Sequence, residues 1–170
     1  MICETKKMLW EDDASKMSEI RYWYEDLTPG RVFHLGSRTI SAEAIIHFAR
    51  EFDPQDFHLD AEAGKASILG GLAASGWHSC SMWMRMFYDT VLSGSSSEGS
   101  PGVDKIDWRK PVCAGDTLTG VTEVIEARPL KSRPGIGLVR MQHTVTNQNG
   151  EIVMFMENPG MFRMRSEAAA

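Results

Sequence analysis

Leu72-Ala-Ala-Ser75-Gly-Trp77-His78-Ser-Cys80-Ser-Met82-Trp83-Met84-Arg85-Met86-Phe87-Tyr88-Asp89-Thr-Val91-Leu92 is the stretch on which the fold turns. It is the longest apolar run in the chain, yet Ser75, His78, Arg85 and Asp89 interrupt it. It therefore reads as a core helix rather than a membrane span. Apolar side chains lie nearly all round it, which predicts a helix wrapped by protein, with the Met and Trp residues in the core. Gly70-Gly71 breaks the chain ahead of the helix, and the Ser- and Gly-rich segment 93–102 forms a loop behind it.

The C-terminal part of the chain has β character. Val103–Trp108 is a strand, Pro111–Asp116 a turn, and Thr117–Ala127 a strand with alternation in its first half. Lys131–Gly137 is a Pro- and Gly-rich connection, and Leu138–Thr146 alternates. Asn149-Gly150 is the strongest hairpin signal in the chain, and Glu151–Arg165 returns from it. Upstream, Thr28-Pro29-Gly30 is a turn and Arg31–Ile40 a first strand. Ser41 has the character of an N-cap with Glu43 in the first turn. Ile45, Phe48, Ala49 and Phe52 then recur at helical spacing, and Pro54 stops that helix. One long helix with an early strand and four later antiparallel strands makes an α+β domain, expected over residues 21–166. Residues 1–20 read as a loose arm and 167–170 as a tail, and Met17 is a candidate natural start. A sheet edge or face is left for a second copy.

Composition narrows the function. A net charge of −5 with both signs dispersed argues against a nucleic-acid binder. Cys3, Cys80 and Cys113 form no CxxC and no metal-ligand pattern, which suits a reduced cytoplasmic chain. No leader-like segment opens the sequence. Lys105, Arg109, Lys110, Lys131 and Arg133 are more readily a solvated surface than a phosphate clamp.

The chemistry centres on Phe52-Asp53-Pro54-Gln55-Asp56-Phe57-His58-Leu59-Asp60. Asp53 and His58 are five apart, a spacing that suits neither one helix face nor one strand face. A bend through Pro54 turns a carboxylate and an imidazole toward one point, where they would act on one water as base and acid. Taken singly, Asp53 before proline reads as a turn or cap residue and His58 as a structural histidine. Together, with Gly70-Gly71 downstream, they point to catalysis. Asp60 reads as an N-cap and His78 as core or interface, while His34, His47 and His143 carry no signal.

These residues resemble the MaoC-like dehydratases, the (R)-specific enoyl-CoA hydratase branch of the hotdog fold. The family signature is Asp-x-Asn-Pro-(Leu/Ile)-His, and Asp53 and His58 stand at its Asp and His. Gly71 falls at the glycine that opens the central helix, and Ser75 lies near the family's active-site serine. Val103–Val112 and Ala114-Gly-Asp-Thr-Leu118 are also similar to family sequence, so the resemblance spans roughly residues 20–165. It implies a central helix wrapped by a five- to six-stranded antiparallel sheet and a homodimer or larger assembly. The implied substrate is an acyl thioester of CoA or acyl-carrier protein, with no metal or redox cofactor. The chain departs from the signature in having Gln55 for asparagine, Asp56 for proline and Phe52 for the preceding glycine. An inward-pointing Asp56 would raise the pKa of Asp53.

The resemblance implies hydration of a 2-enoyl thioester or the reverse. Asp53 is the expected base, His58 the water-orienting and proton-donating partner, and the Gly71 N–H at the helix N-terminus the expected oxyanion donor. Ser75 would orient the carbonyl or a substrate hydroxyl, beside Gln55. A hotdog thioesterase is the alternative, but such enzymes place a carboxylate within the central helix and Leu72–Tyr88 has none. A non-catalytic thioester-binding subunit is the third reading, in which Gln55 and Asp56 mark a decayed site.

Overall fold

The computed structural model describes residues 20–165. The expected N-terminal arm, Met17, Cys3 and the C-terminal tail lie outside the described residues. The described elements run β1 (Val32–Thr39), α1 (Ala42–Phe52), α2 (Asp56–Leu59), α3 (Ala61–Ala66), α4 (Gly76–Thr90), β2 (Lys105–Trp108), β3 (Thr117–Pro129), β4 (Ile136–Thr146) and β5 (Ile152–Arg163). The strands form one antiparallel sheet in the order β1-β3-β4-β5-β2, which leaves β1 and β2 as its edges. The Asn149-Gly150 turn joins β4 to β5 as the sequence predicts, with Gly150 in the left-handed region at φ 74°.

Alternation decides which face of the sheet is buried. Along β4 every second residue, Gly137, Val139, Met141, His143 and Val145, points inward. The long helix α4 lies on that face against β1 and β3, and contributes Trp83, Met86 and Phe87 to the core. The wrapping is less complete than the sequence pattern predicts. Trp77, Met84 and Tyr88 stand on the outer side of α4, at 59%, 45% and 49% exposure.

The helix is also shorter than the Leu72–Leu92 expected. Leu72, Ala73 and Ala74 are non-helical and pair with the 112–114 segment through an Ala73–Cys113 bridge, Ala74 N–H donating to the Val112 carbonyl and Ala114 N–H to the Leu72 carbonyl. Ser75 then caps the first turn through Trp77 N–H at 3.3 Å, and a separate 3₁₀ turn occupies Leu92–Gly94. An apolar run cannot distinguish an extended segment paired on one side from the helix it enters.

Ahead of α4 the cap expectations hold. Ala44 N–H donates to the Ser41 hydroxyl at the start of α1, and Ala63 N–H to the Asp60 carboxylate at the start of α3. Ile45 and Ala49 are the buried face of α1, whereas Phe52 at its end is exposed.

Candidate active site

Asp53 closes α1 and His58 lies in the single turn of α2, so the bend at Pro54 falls between them as the sequence implies. His58 Nε2 is 3.6 Å from Asp53 Oδ2. The other ring nitrogen, Nδ1, is 2.6 Å from the Ala73 carbonyl oxygen. A carbonyl only accepts, so Nδ1 carries the proton and the exchangeable position, Nε2, faces Asp53. His58 is buried at 6% exposure, and its ring cannot swing away without orphaning that bond.

Three neighbours act on Asp53. The Ser75 hydroxyl has the largest effect and holds the carboxyl below its ordinary value of 3.8; burial opposes it, and the Gln55 amide and His58 add to it. Gln55 Nε2 donates to Asp53 Oδ1 at 2.8 Å, which leaves Oδ2 toward the imidazole. Asp56 is exposed on the first turn of α2, so the expected upward push on Asp53 does not occur. Removing the hydroxyl with Ser75→Ala is expected to raise the Asp53 pKa. The acid limb of the kcat/KM profile then moves to higher pH, while an unmoved limb would separate the two residues.

The pair opens into a cavity of about 500 Å³, with Ala74, Trp77, Trp108 and Val112 among its other walls. Gly71 does not line it. Gly71 precedes the helix by five residues, and its carbonyl packs so closely on Gly64 that a Cβ there would collide with it. The helix terminus expected at Gly71 therefore lies at a different residue. Gly76 is the first residue of α4 and forms part of the cavity wall.

Trp108, on edge strand β2, covers that first turn. Its indole N–H donates to the Gly76 carbonyl at 3.1 Å, and its ring meets Trp77 edge-on at 5.4 Å. A Cβ on Gly76 would lie 2.5 Å from the Trp108 ring. Gly76→Ala is expected to displace the indole and to cost about 1–3 kcal/mol, read in urea unfolding together with a red shift of tryptophan emission. An unchanged midpoint and spectrum would mean the two residues are not coupled.

At the rim, Lys110 pairs with Glu151, while Asp107 holds Lys105 at 2.9 Å and Arg109 at 3.7 Å. All five are surface groups, and Asp107 is shared by two of the cations. Among the described residues no three His, Cys, Asp or Glu side chains cluster as a metal site, and no helix is long and apolar enough to cross a membrane.

The sequence named Asp53, His58, Gln55 and Ser75, and the structure brings these four together. It missed the Ala73 carbonyl, Gly76 and Trp108. A backbone carbonyl carries no residue-type signal, and Trp108 reaches the helix only because β2 follows β5 to the sheet edge. Gly76 was legible in principle, standing directly after the serine that caps α4.

Comparison with known proteins agrees with this geometry. Residues 26–147 match the family model described as "MaoC like domain". A MaoC-like dehydratase from Rhodospirillum rubrum is 38% identical, with a TM-score of 0.77 over 85% of this chain and 99% of that one. The R-hydratase PhaJ1 of Pseudomonas aeruginosa shares the fold at 24% identity and a TM-score of 0.69, over 84% of this chain and 86% of that one. The protein YdeM of Bacillus subtilis (strain 168) is 29% identical over 112 residues, 66% of this chain and 79% of that protein. The sheet order, the helix across its buried face and the matched residues lead to one conclusion: the chain belongs to the MaoC-like domain family and has the hotdog fold.

Proposed function

We propose that this protein adds water to a 2-enoyl thioester, or removes it from the 3-hydroxyacyl thioester, with CoA or acyl-carrier protein bearing the acyl group. The observation that carries the reading is the 3.6 Å approach of His58 Nε2 to Asp53 Oδ2 inside a cavity, with Nδ1 fixed on a carbonyl. That gap suits a water held between the two groups.

The step balances without a metal or redox cofactor. Asp53, ionised, takes a proton from the water as the oxygen bonds to Cβ. The alkene electrons move to the thioester oxygen as an enolate, and His58, protonated at Nε2, returns a proton to Cα. Transfer of the proton from Asp53 to Nε2 restores the pair. The Gly76 N–H, in place of the expected Gly71, is the donor to the enolate oxygen, because it opens α4 where the helix end is electropositive. Ser75 and Gln55 keep Asp53 ionised and oriented.

The family match and the dehydratase from Rhodospirillum rubrum support a lyase. Hydrolysis is less well supported, since the carboxylate of α4, Asp89, lies at the far end of the helix and is held by Arg38 and Arg85. We also place the protein in the cytoplasm as a homodimer or larger assembly. The open edge of β2 and the exposed side chains of Ile68, Val103 and Trp108 support a second copy there. Crotonyl-CoA and longer or branched enoyl-CoAs, followed at the enoyl-thioester absorbance, test the reaction. Loss of the band without free thiol is expected; thiol release with the band intact would mean a thioesterase instead.

A further inference from the structure

A second cavity, of about 510 Å³, opens between α1 and α4 below the Asp53/His58 site. Ser75, His78, Met82 and Arg85 fall three, four and three residues apart, so one stripe of α4 leads from the reactive pair into it. α1 runs the opposite way along the same cleft, with Asp53 beside the start of α4 and Ala44 in the second cavity. Phe48 and His78 line the second chamber as a stacked pair. Phe48 of α1 lies parallel to His78 of α4, with ring centroids 4.5 Å apart at an interplanar angle of 5°.

The walls of the second chamber are chemically mixed. Ile40, Ala44 and Met82 line it with apolar surface, but His78 Nδ1 is buried there without a hydrogen-bond partner. Its far end holds two guanidinium groups, Arg38 and Arg85, each 3.0 Å from the single carboxylate of Asp89. No carboxylate lines the chamber itself among the described residues, so one positive charge is left over. A purely hydrocarbon chain would leave the imidazole nitrogen and that charge unanswered. A chain ending in an anion would answer the charge, with a water at the imidazole nitrogen.

We infer that the second chamber receives the distal end of the acyl chain and selects chains ending in a carboxylate, so that the substrate class is the monothioester of an unsaturated dicarboxylic acid. The inference rests on the hydratase reading for its orientation, with the thioester near Gly76 and the chain running along the α4 stripe. Ten residues of α4 separate Ser75 from Arg85, about 15 Å of axial rise, and the arginine side chain shortens that span. A medium-length diacid fits it. His78, seven residues and about 10 Å of axial rise short of Arg85, meets the middle of the chain, where a water answers its Nδ1.

The test uses 2-octenoyl-CoA and its ω-carboxylate counterpart 2-octenedioyl-CoA. Wild-type protein is expected to favour the diacid by about five- to tenfold in kcat/KM, as a charge-assisted contact at a half-exposed arginine would give. Arg85→Gln and Arg38→Gln each reduce that ratio toward unity. The same two ligands are compared by calorimetry on the Asp53→Asn protein, where binding is read without turnover. Equal or weaker binding of the diacid, or a ratio that neither arginine variant moves, would overturn the inference. If the diacid binds tighter through the arginines but neither compound is hydrated, the chamber assignment stands and the hydratase reading fails.

Discussion

Asp53→Asn is expected to lower kcat for enoyl-CoA hydration by about a hundred- to ten-thousandfold while the protein still folds and binds thioester. The amide keeps the shape of the carboxylate and can still meet the Gln55 side chain, which now contacts Oδ1 at 2.8 Å. What it loses is the capacity to take a proton from water. His58→Ala is expected to cost a similar factor, and the double variant little more than the worse single one, since the two groups pass one proton between them across 3.6 Å. Binding would be read by calorimetry and turnover by the loss of enoyl-thioester absorbance. An Asp53→Asn protein that turns over at the wild-type rate would remove the carboxylate from the mechanism.

The second large effect is on stability. His143 sits fully buried on β4, with Thr122 Oγ1 2.8 Å from Nδ1 and Asn158 Oδ1 2.7 Å from Nε2. The Asn158 amide nitrogen donates to the Pro159 carbonyl, so its oxygen faces the ring and Nε2 carries the proton. Nδ1 then accepts from the Thr122 hydroxyl. Trp83 and Phe87 close over the imidazole edge-on at 4.4 Å and 5.3 Å. A charge there would face aromatic rings and no anion, and burial lowers the His143 pKa from 6.5 to about 4 despite the Asn158 bond. The unfolded chain therefore binds a proton that the folded chain refuses between those values. The contribution is complete above pH 6.5 and is lost as pH falls toward 4. It amounts to about 3 kcal/mol. Half-buried His78, also lowered by burial, acts in the same direction. Urea unfolding at several pH values should show this slope, and His143→Gln, which hydrogen-bonds without titrating, should flatten it. A slope that the variant leaves unchanged would assign the acid sensitivity to other groups.

The sheet and the reactive pair were legible because each is written in local sequence. Alternation along 138–146 and the Asn149-Gly150 turn fix β4 and its partner. Pro54 fixes the bend between Asp53 and His58. His143 shares the inward parity of Val139, Met141 and Val145, and reading it with them would have marked it as a core residue. The misreadings concern contacts between distant segments. Leu72–Ala74 stays out of the helix because residues 112–114 pair with it, and nothing in its own apolar composition says so. Gly71 was aligned with a helix start that the Ser75 cap defers to Gly76.

The hydrogen bond from His58 to the Ala73 carbonyl makes the reactive pair tolerant of substitution at its anchor. Both groups proposed for proton transfer lie within one hexapeptide, and a main-chain oxygen anchors it to the body. Main-chain oxygen survives any replacement at position 73. The tautomer of His58 is therefore set by the chain's path and not by any neighbouring side chain.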